Sequence, residues 1–381
     1  MTRSPSPSSG SFRLFGVPVR IHVSWILLAL FLAWSLAAGM LPAVHEGLPR
    51  GAYWGAAVLI VLGLGASIVL HELAHTLVGR AMGVRVDRIT LFLFGGVAEL
   101  SEEPTRPRAE LAMAVAGPAF SVVFGLSLAA LARLLEQRPE FAGAQMALDY
   151  LATLNLVLAG FNMAPAYPLD GGRVLRALIW MATGDLDRAT RIAARAGEGL
   201  ALLLMGVGGL VLFTQGAAGG LWWILIGLFL HSAARGAIAD LDTRRMLAGR
   251  PIAELMVRDV ETVPDRFTLD RFIDERLLGS RHALYPVERE GRWIGVVAPE
   301  DVLAQPRDRW AQMTVGEICR PAAETPAATL LEDAGAVMTR MRSQNTPRMP
   351  VVHAGAVVGI VTLQDLLRSL DLSRRFGRTP G

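Results

Sequence analysis

The stretch Val69-Leu70-His71-Glu72-Leu73-Ala74-His75 closes an apolar run, GAYWGAAVLIVLGLGASIVL over residues 51–70, that carries no charge. Continued as one helix, it sets His71 and His75 four residues and about 40° apart around the axis, so both imidazoles can reach one metal ion. Glu72, beside His71, is close enough to take a proton from a water at that metal without being a ligand itself. Zinc suits the arrangement, because it accepts imidazole nitrogen in a tetrahedral site and lowers the pKa of its water to roughly 7. The bland alternative is a helix that holds two histidines and a glutamate by accident. Ionisable groups at the end of so apolar a run are costly unless they face a bundle interior with a partner, and a metal is a natural one.

Further charge-poor stretches lie near residues 22–41, 53–79, 111–132, 148–166, 196–214 and 219–236. Each is about as long as the ~20 helical residues that cross a hydrocarbon core of ~30 Å. A hydrophobic share of 52% and a mean hydropathy of +0.40 are too high for an ordinary soluble protein. The expected fold is a polytopic α-helical membrane protein of six transmembrane helices with a short membrane-associated β-hairpin, followed by a soluble α/β tail. The net charge of +3 does not signal a nucleic-acid partner, because the arginines sit at membrane borders. Arg13, Arg20, Arg80, Arg85, Arg88, Arg106, Arg108, Arg235, Arg244 and Arg245 flank spans on one side, with a further group from Arg173 to Arg195. The loops at 42–52, 136–147 and 215–219 hold only Arg50 and Arg138. The positive-inside rule then gives a multi-pass cell-membrane protein with both termini cytoplasmic. The single cysteine, Cys319, excludes an intramolecular disulfide framework.

Residues 1–11 are Ser/Pro-rich and expected to be disordered. FRLFGVPVRIH over residues 12–22 forms an amphipathic lead into the first span, with a turn at Gly16 and Pro18 and His22 at the membrane border. In residues 86–100, Ile89 through Phe94 are β-prone, and Gly95-Gly96 permits a tight turn into Val97-Ala98-Glu99-Leu100. Such a hairpin is too short to span, and its free edge could accept an extended peptide; the alternative is a simple amphipathic loop. Ala114 through Ala119, with Gly117 and Pro118, reads as a close helix contact. In NLVLAGFNMAPAYPLDGG, residues 155–172, Asn162, Pro165, Pro168, Asp170, Gly171 and Gly172 interrupt an apolar helix. Asp170 falls on the same side of the membrane as His71 and His75. A carboxylate is the expected third ligand when two histidines leave a zinc site short; alternatively, Asp170 caps the helix that follows.

H-E-L-A-H ending one span, with N-x-x-P-x-x-P-L-D-G-G ending a later one, resembles the site-2 protease family of intramembrane zinc metalloproteases (peptidase M50). The likeness covers residues 12 to about 236, including G-V-P-V-R-I-H, F-G-G and A-G-P. It implies that His71, His75 and Asp170 are ligands of one Zn2+, that Glu72 is the general base, and that Asn162 contacts the substrate or the developing oxyanion. It also implies that the hairpin, with Phe94, Gly95 and Gly96, presents an edge strand to an unwound substrate helix. The implied substrate is a transmembrane protein such as an anti-sigma factor or a membrane-tethered pro-sigma factor.

From about Arg250 the chain holds two similar stretches of about 60 residues, each reading as strand, helix, two strands and helix. Tyr285-Pro286-Val287 with Gly295-Val296-Val297, and Met349-Pro350-Val351-Val352 with Gly359-Ile360-Val361-Thr362, resemble a tandem of cystathionine-β-synthase (CBS) domains. That likeness implies a regulatory module, adenine-nucleotide binding through Thr362 and Asp365 with Asp301 as the first repeat's candidate, and a homodimer through the pair. In the first repeat Asp301 follows Ala298 and Pro299 instead of a threonine, which departs from the pattern. The expected organisation is thus a disordered 1–11, a six-helix metalloprotease domain over 12–240, CBS domains over 250–308 and 309–372, and a basic tail over 373–381. The rival classes are a CBS-regulated membrane transporter and a non-catalytic nucleotide sensor. A transporter needs a polar pathway through several spans, whereas here the ionisable groups gather at one cluster.

Overall fold

A computed structural model describes residues 11–44, 47–84, 86–92, 95–100, 104–136, 138–215, 219–279, 283–344 and 346–375. Residues 1–10 of the expected disordered N-terminus, Phe94, and residues 376–381 of the basic tail lie outside that set. The chain divides into two compact units, residues 1–238 and 239–381.

The first unit opens with β1 (Ser11–Leu14) and β2 (Val17–Ile21), an antiparallel hairpin. Its turn is not at Gly16 and Pro18 as expected but at Phe15 and Gly16, whose φ angles are 48° and 75°. Two successive positive φ values give the two-residue connection whose twist suits antiparallel strands. Pro18 instead lies inside β2, opposite Arg13. His22 caps α1 (Val23–Ser35): its Nδ1 accepts the Ser24 N–H at 3.2 Å. A π-helical turn, Leu36–Met40, carries the helix into α2 (Leu41–Val44).

α3 (Arg50–Ala81) has 32 residues, a length of about 48 Å. After it come β3 (Val86–Phe92), β4 (Gly95–Leu100), α4 (Pro107–Leu135), α5 (Ala142–Asn162), α6 (Asp170–Thr183), α7 (Leu186–Gln215) and α8 (Gly219–Leu247). Among the described residues six helical segments are long and apolar enough to cross a membrane: Val23–Val44, α3, α4, α5, Leu186–Thr214 and α8. They expose Leu30, Phe31, Leu62, Leu203 and Phe213, the apolar surface that a bilayer covers. α5 stops at Asn162, short of the expected residue 166, because Pro165 has no N–H to donate and disfavours helix at Ala164.

The hairpin expected at 89–100 is longer and has company, and Gly95 and Gly96, expected to form its turn, instead pair with Phe92 and Leu91 inside β4. β3 and β4 pair antiparallel, and β2 joins β3 in parallel, making one sheet in the order β1-β2-β3-β4 with β4 at an edge. Val17, Val19, Ile89 and Leu91 of this sheet bury against Trp25, Ile68, Val69 and Leu73. Helix α4 packs against α3, α5 and α6. Its buried positions, Glu110, Met113, Ala114, Gly117, Ser121 and Gly125, recur at helical spacing along that inward side.

The second unit carries β5 (Val263–Pro264), α9 (Leu269–Phe272, extended by a π-helical turn to Leu277), β6 (Tyr285–Arg289), β7 (Arg292–Val297) and α10 (Pro299–Leu303). Then follow α11 (Val315–Ile318), β8 (Arg320–Pro321), β9 (Ala328–Thr329), α12 (Ala334–Ser343), β10 (Arg348–His353), β11 (Ala356–Thr362) and α13 (Leu363–Arg375). The sheets run β5-β6-β7-β8 and β11-β10-β9, with β5–β6 and β9–β10 parallel. One core is nested inside the other along the chain. Val315, with Trp310, Met313 and Ile318 beside it, packs with Val263, Phe272, Tyr285 and Val297. Leu247 and Ile252 pack with Ala334, Met338, Val351 and Val361.

Candidate metal centre

His71 and His75 lie in the last three turns of α3 and are 2% and 3% exposed, so their rings face protein. The Nε2 atoms stand 3.1 Å apart, and each is 3.2 Å from Asp170 Oδ2. Asp170 is the first residue of α6; Leu169 holds the capping position and no side chain caps the helix. The alternative role for Asp170, a helix cap, is therefore not the one the geometry offers.

Each ring is oriented by α4 through its other nitrogen. His75 Nδ1–H donates to the Met113 carbonyl at 2.6 Å, which leaves Nε2 as a lone-pair donor. His71 Nδ1 lies 2.9 Å from Ser121 Oγ. Three donor atoms thus form a triangle with sides of 3.1–3.2 Å. Bonds of about 2.0–2.1 Å to a tetrahedral zinc separate its ligands by about 3.3 Å, so the residues fit this metal. Gly117 leaves the space: a Cβ there would stand 2.2 Å from His75 Nε2 and 2.7 Å from His71 Nε2.

Asn162, at the end of α5, brings its amide nitrogen 3.3 Å from His71 Nε2. Glu72 faces the sheet, where a Cβ on Gly96 would meet its Cγ at 2.6 Å. Gly96 therefore permits edge strand β4 to lie against Glu72. Gly95, at the start of β4, has a φ of 127°, which glycine adopts without strain. The loop before α6 is equally tight, since a Cβ on Gly171 would meet the Met163 carbonyl oxygen at 2.2 Å. Reading the sequence did not single out Met113, Ser121, Glu110 or Arg176. A-G-P reads from its small residues as a packing contact, whereas its glycine lines the cradle.

In the second unit, a pocket of about 250 Å³ is lined by Val257, Glu261, Leu284, Arg348, Thr362 and Asp365, among others. Thr362 Oγ1–H donates to Asp365 Oδ2 at 2.6 Å, and the Asp365 N–H returns a bond to Thr362 Oγ1 at 3.0 Å. Asp301 is not among the lining residues. Its Oδ2 accepts the Ala298 N–H at 2.8 Å and lies 3.4 Å from Arg320 Nε.

The model of peptidase family M50 matches residues 59–138 and 132–205, and that of the CBS domain matches residues 315–372. Rip3 of Mycobacterium tuberculosis is 38% identical over 368 residues, 95% of this chain and 92% of that protein. Zinc metalloprotease MJ0392 of Methanocaldococcus jannaschii is 28% identical over 361 residues, 95% of each. Among solved structures, a site-2 protease from Methanocaldococcus jannaschii matches 60% of this chain and 93% of its own, at 31% identity and a TM-score of 0.42. With the likeness to Rip3 running along nearly the whole chain, the protein belongs to peptidase family M50, as a multi-pass membrane metalloprotease that also carries a CBS domain.

Proposed function

We propose that the enzyme cuts a transmembrane protein substrate at a zinc held by His71, His75 and Asp170, with Glu72 as general base. The triangle of facing donor atoms, with glycine at position 117 where a Cβ would run into both rings, carries this reading. Zinc, when bound, supplies a Lewis acid for the scissile carbonyl and acidifies a water to near neutral pH. Glu72 takes the proton of the attacking water and passes it to the amide nitrogen as the C–N bond breaks. The Asn162 amide, beside the His71 ring, donates to the carbonyl oxygen as negative charge gathers on it. A substrate helix has its peptide groups bonded internally, so it must unwind before cleavage. The free edge of β4, with Gly95 and Gly96, offers the backbone partners the unwound segment then needs. A single-pass anti-sigma or membrane-tethered pro-sigma factor fits such a site. The arginine distribution supports cytoplasmic termini.

The test is the zinc content of the detergent-purified protein beside His71→Ala and Asp170→Ala. About one zinc per chain, lost in both variants, is expected of a three-ligand site. A wild-type protein that takes up no zinc from supplemented medium would sink the reading. Zinc kept by Asp170→Ala would move the third ligand elsewhere.

The CBS pair is proposed to bind an adenine nucleotide at Thr362 and Asp365 and to regulate the protease, and to dimerise with a second copy. The pocket is near the small end of the ~300–1,000 Å³ typical of ligand sites. The mutual hydrogen bonds of Thr362 and Asp365 hold the carboxylate ready for a ribose. Calorimetric titration of the whole protein with AMP and ATP should give saturable heat that Asp365→Ala abolishes. Undiminished binding by Asp365→Ala would exclude this pocket, and no heat with either nucleotide would leave the pair as an assembly module.

A further inference from the structure

Glu110 lies in the first turn of α4, where a carboxylate ordinarily caps or complements a helix end in water. Here it is fully buried. Its Oε1 accepts Arg176 Nε–H at 2.6 Å and forms an ion pair with the same guanidinium, while Arg173 Nε stands 3.9 Å away. Arg176 is itself 7% exposed and lies over the Tyr167 ring, 5.6 Å from its centre. One guanidinium thus grips α4 on one side and the loop that delivers Asp170 on the other.

Such a pair is a poor source of stability. Apolar residues of similar volume often replace a buried ion pair without loss, and Glu110 Oε2 lacks any hydrogen-bond partner among the described residues. What an apolar contact lacks is direction. Helix α4 already orients His75 through Met113 O and His71 through Ser121, at positions 113 and 121 of the side that carries Glu110. Helix α6 begins with Asp170 and has only 14 residues, and Arg173 and Arg176 lie in its first two turns. We infer that Glu110 and Arg176 are a positioning pair: by locking α6 onto α4 they set where Asp170 stands against the two histidines. Neither touches the reacting atoms, so both act through Asp170.

The inference rests on Asp170 being a metal ligand, and the experiment separates the two. Zinc affinity of the full-length apo protein in detergent is measured by competition with a fluorescent chelator for wild type, Glu110→Gln, Asp170→Asn and the double variant. Groups that orient ligands typically contribute about 10–100-fold to metal affinity, so Glu110→Gln should weaken zinc by that factor. In the Asp170→Asn background the same change should cost nothing more. Should Glu110→Gln fail to fold, Arg176→Lys, which keeps the charge but loses the fork, replaces it in the same cycle. Wild-type affinity in Glu110→Gln, or an equal loss in both backgrounds, overturns the pair as a positioning device. Asp170→Asn binding zinc as wild type does would overturn the ligand assignment, and this inference with it.

Discussion

Glu72→Gln is expected to purify with its full zinc complement and to cleave a transmembrane substrate about 10²–10⁴-fold more slowly. The carboxamide has the shape of the carboxylate but cannot take a proton at neutral pH. Shape matters here, because Gly96 of the edge strand lies against the Glu72 side chain, and a larger residue would push β4 away. The metal ligands are untouched, so zinc content and thermal stability serve as controls within the same preparation. A rate within tenfold of wild type would place the base elsewhere. Lost zinc would mean that Glu72 also supports the ligand set.

Gly117→Ala is expected to bind zinc at least about 10–100-fold more weakly while folding normally. A methyl group there would stand 2.2 Å from His75 Nε2, closer than any real contact. The rings have little freedom to retreat. His75 is tied to the Met113 carbonyl, one turn away on the same helix, and His71 to Ser121 on that helix too. Alanine favours a helix by about 1 kcal/mol over glycine, so local stability gives no reason for a loss. Zinc per chain and a melting curve are the measurements. A variant that keeps both would show that the histidines repack around the methyl group.

What could be read from the sequence was whatever local spacing encodes. Two histidines four apart share a helix face by geometry alone, so two of the triangle's three corners are legible at once. Asp170, 99 residues from His71, was visible only because prolines and glycines broke an apolar span beside it. The groups that orient the rings were not visible, for two reasons. The Met113 acceptor is a backbone carbonyl, which has no letter of its own, and small residues such as Ser121 and Gly117 read equally well as packing. Arg176 reads only as one of the border arginines between Arg173 and Arg195, and nothing local ties it to Glu110, 66 residues away. Strand content followed propensity, yet the β2–β3 pairing is long-range, and the turn at Phe15 puts an aromatic where glycine or asparagine is the usual choice. Among the described residues, Thr362 and Asp365 meet in the second repeat's pocket; in the first repeat the Asp301 carboxylate is spent on its own helix start and Arg320.

The nested cores of the second unit have a bearing on gene architecture. Residues 310–319 complete the hydrophobic interior built by residues 263–302, while residues 247–252 complete the one built by 328–366. A frameshift or stop codon at the 308/309 boundary therefore leaves no intact half: it removes Trp310, Met313 and Val315 from one interior and strands Leu247 and Ile252 without their partners. An engineer who wants the module removed must cut ahead of Leu247 rather than at the boundary the repeats suggest.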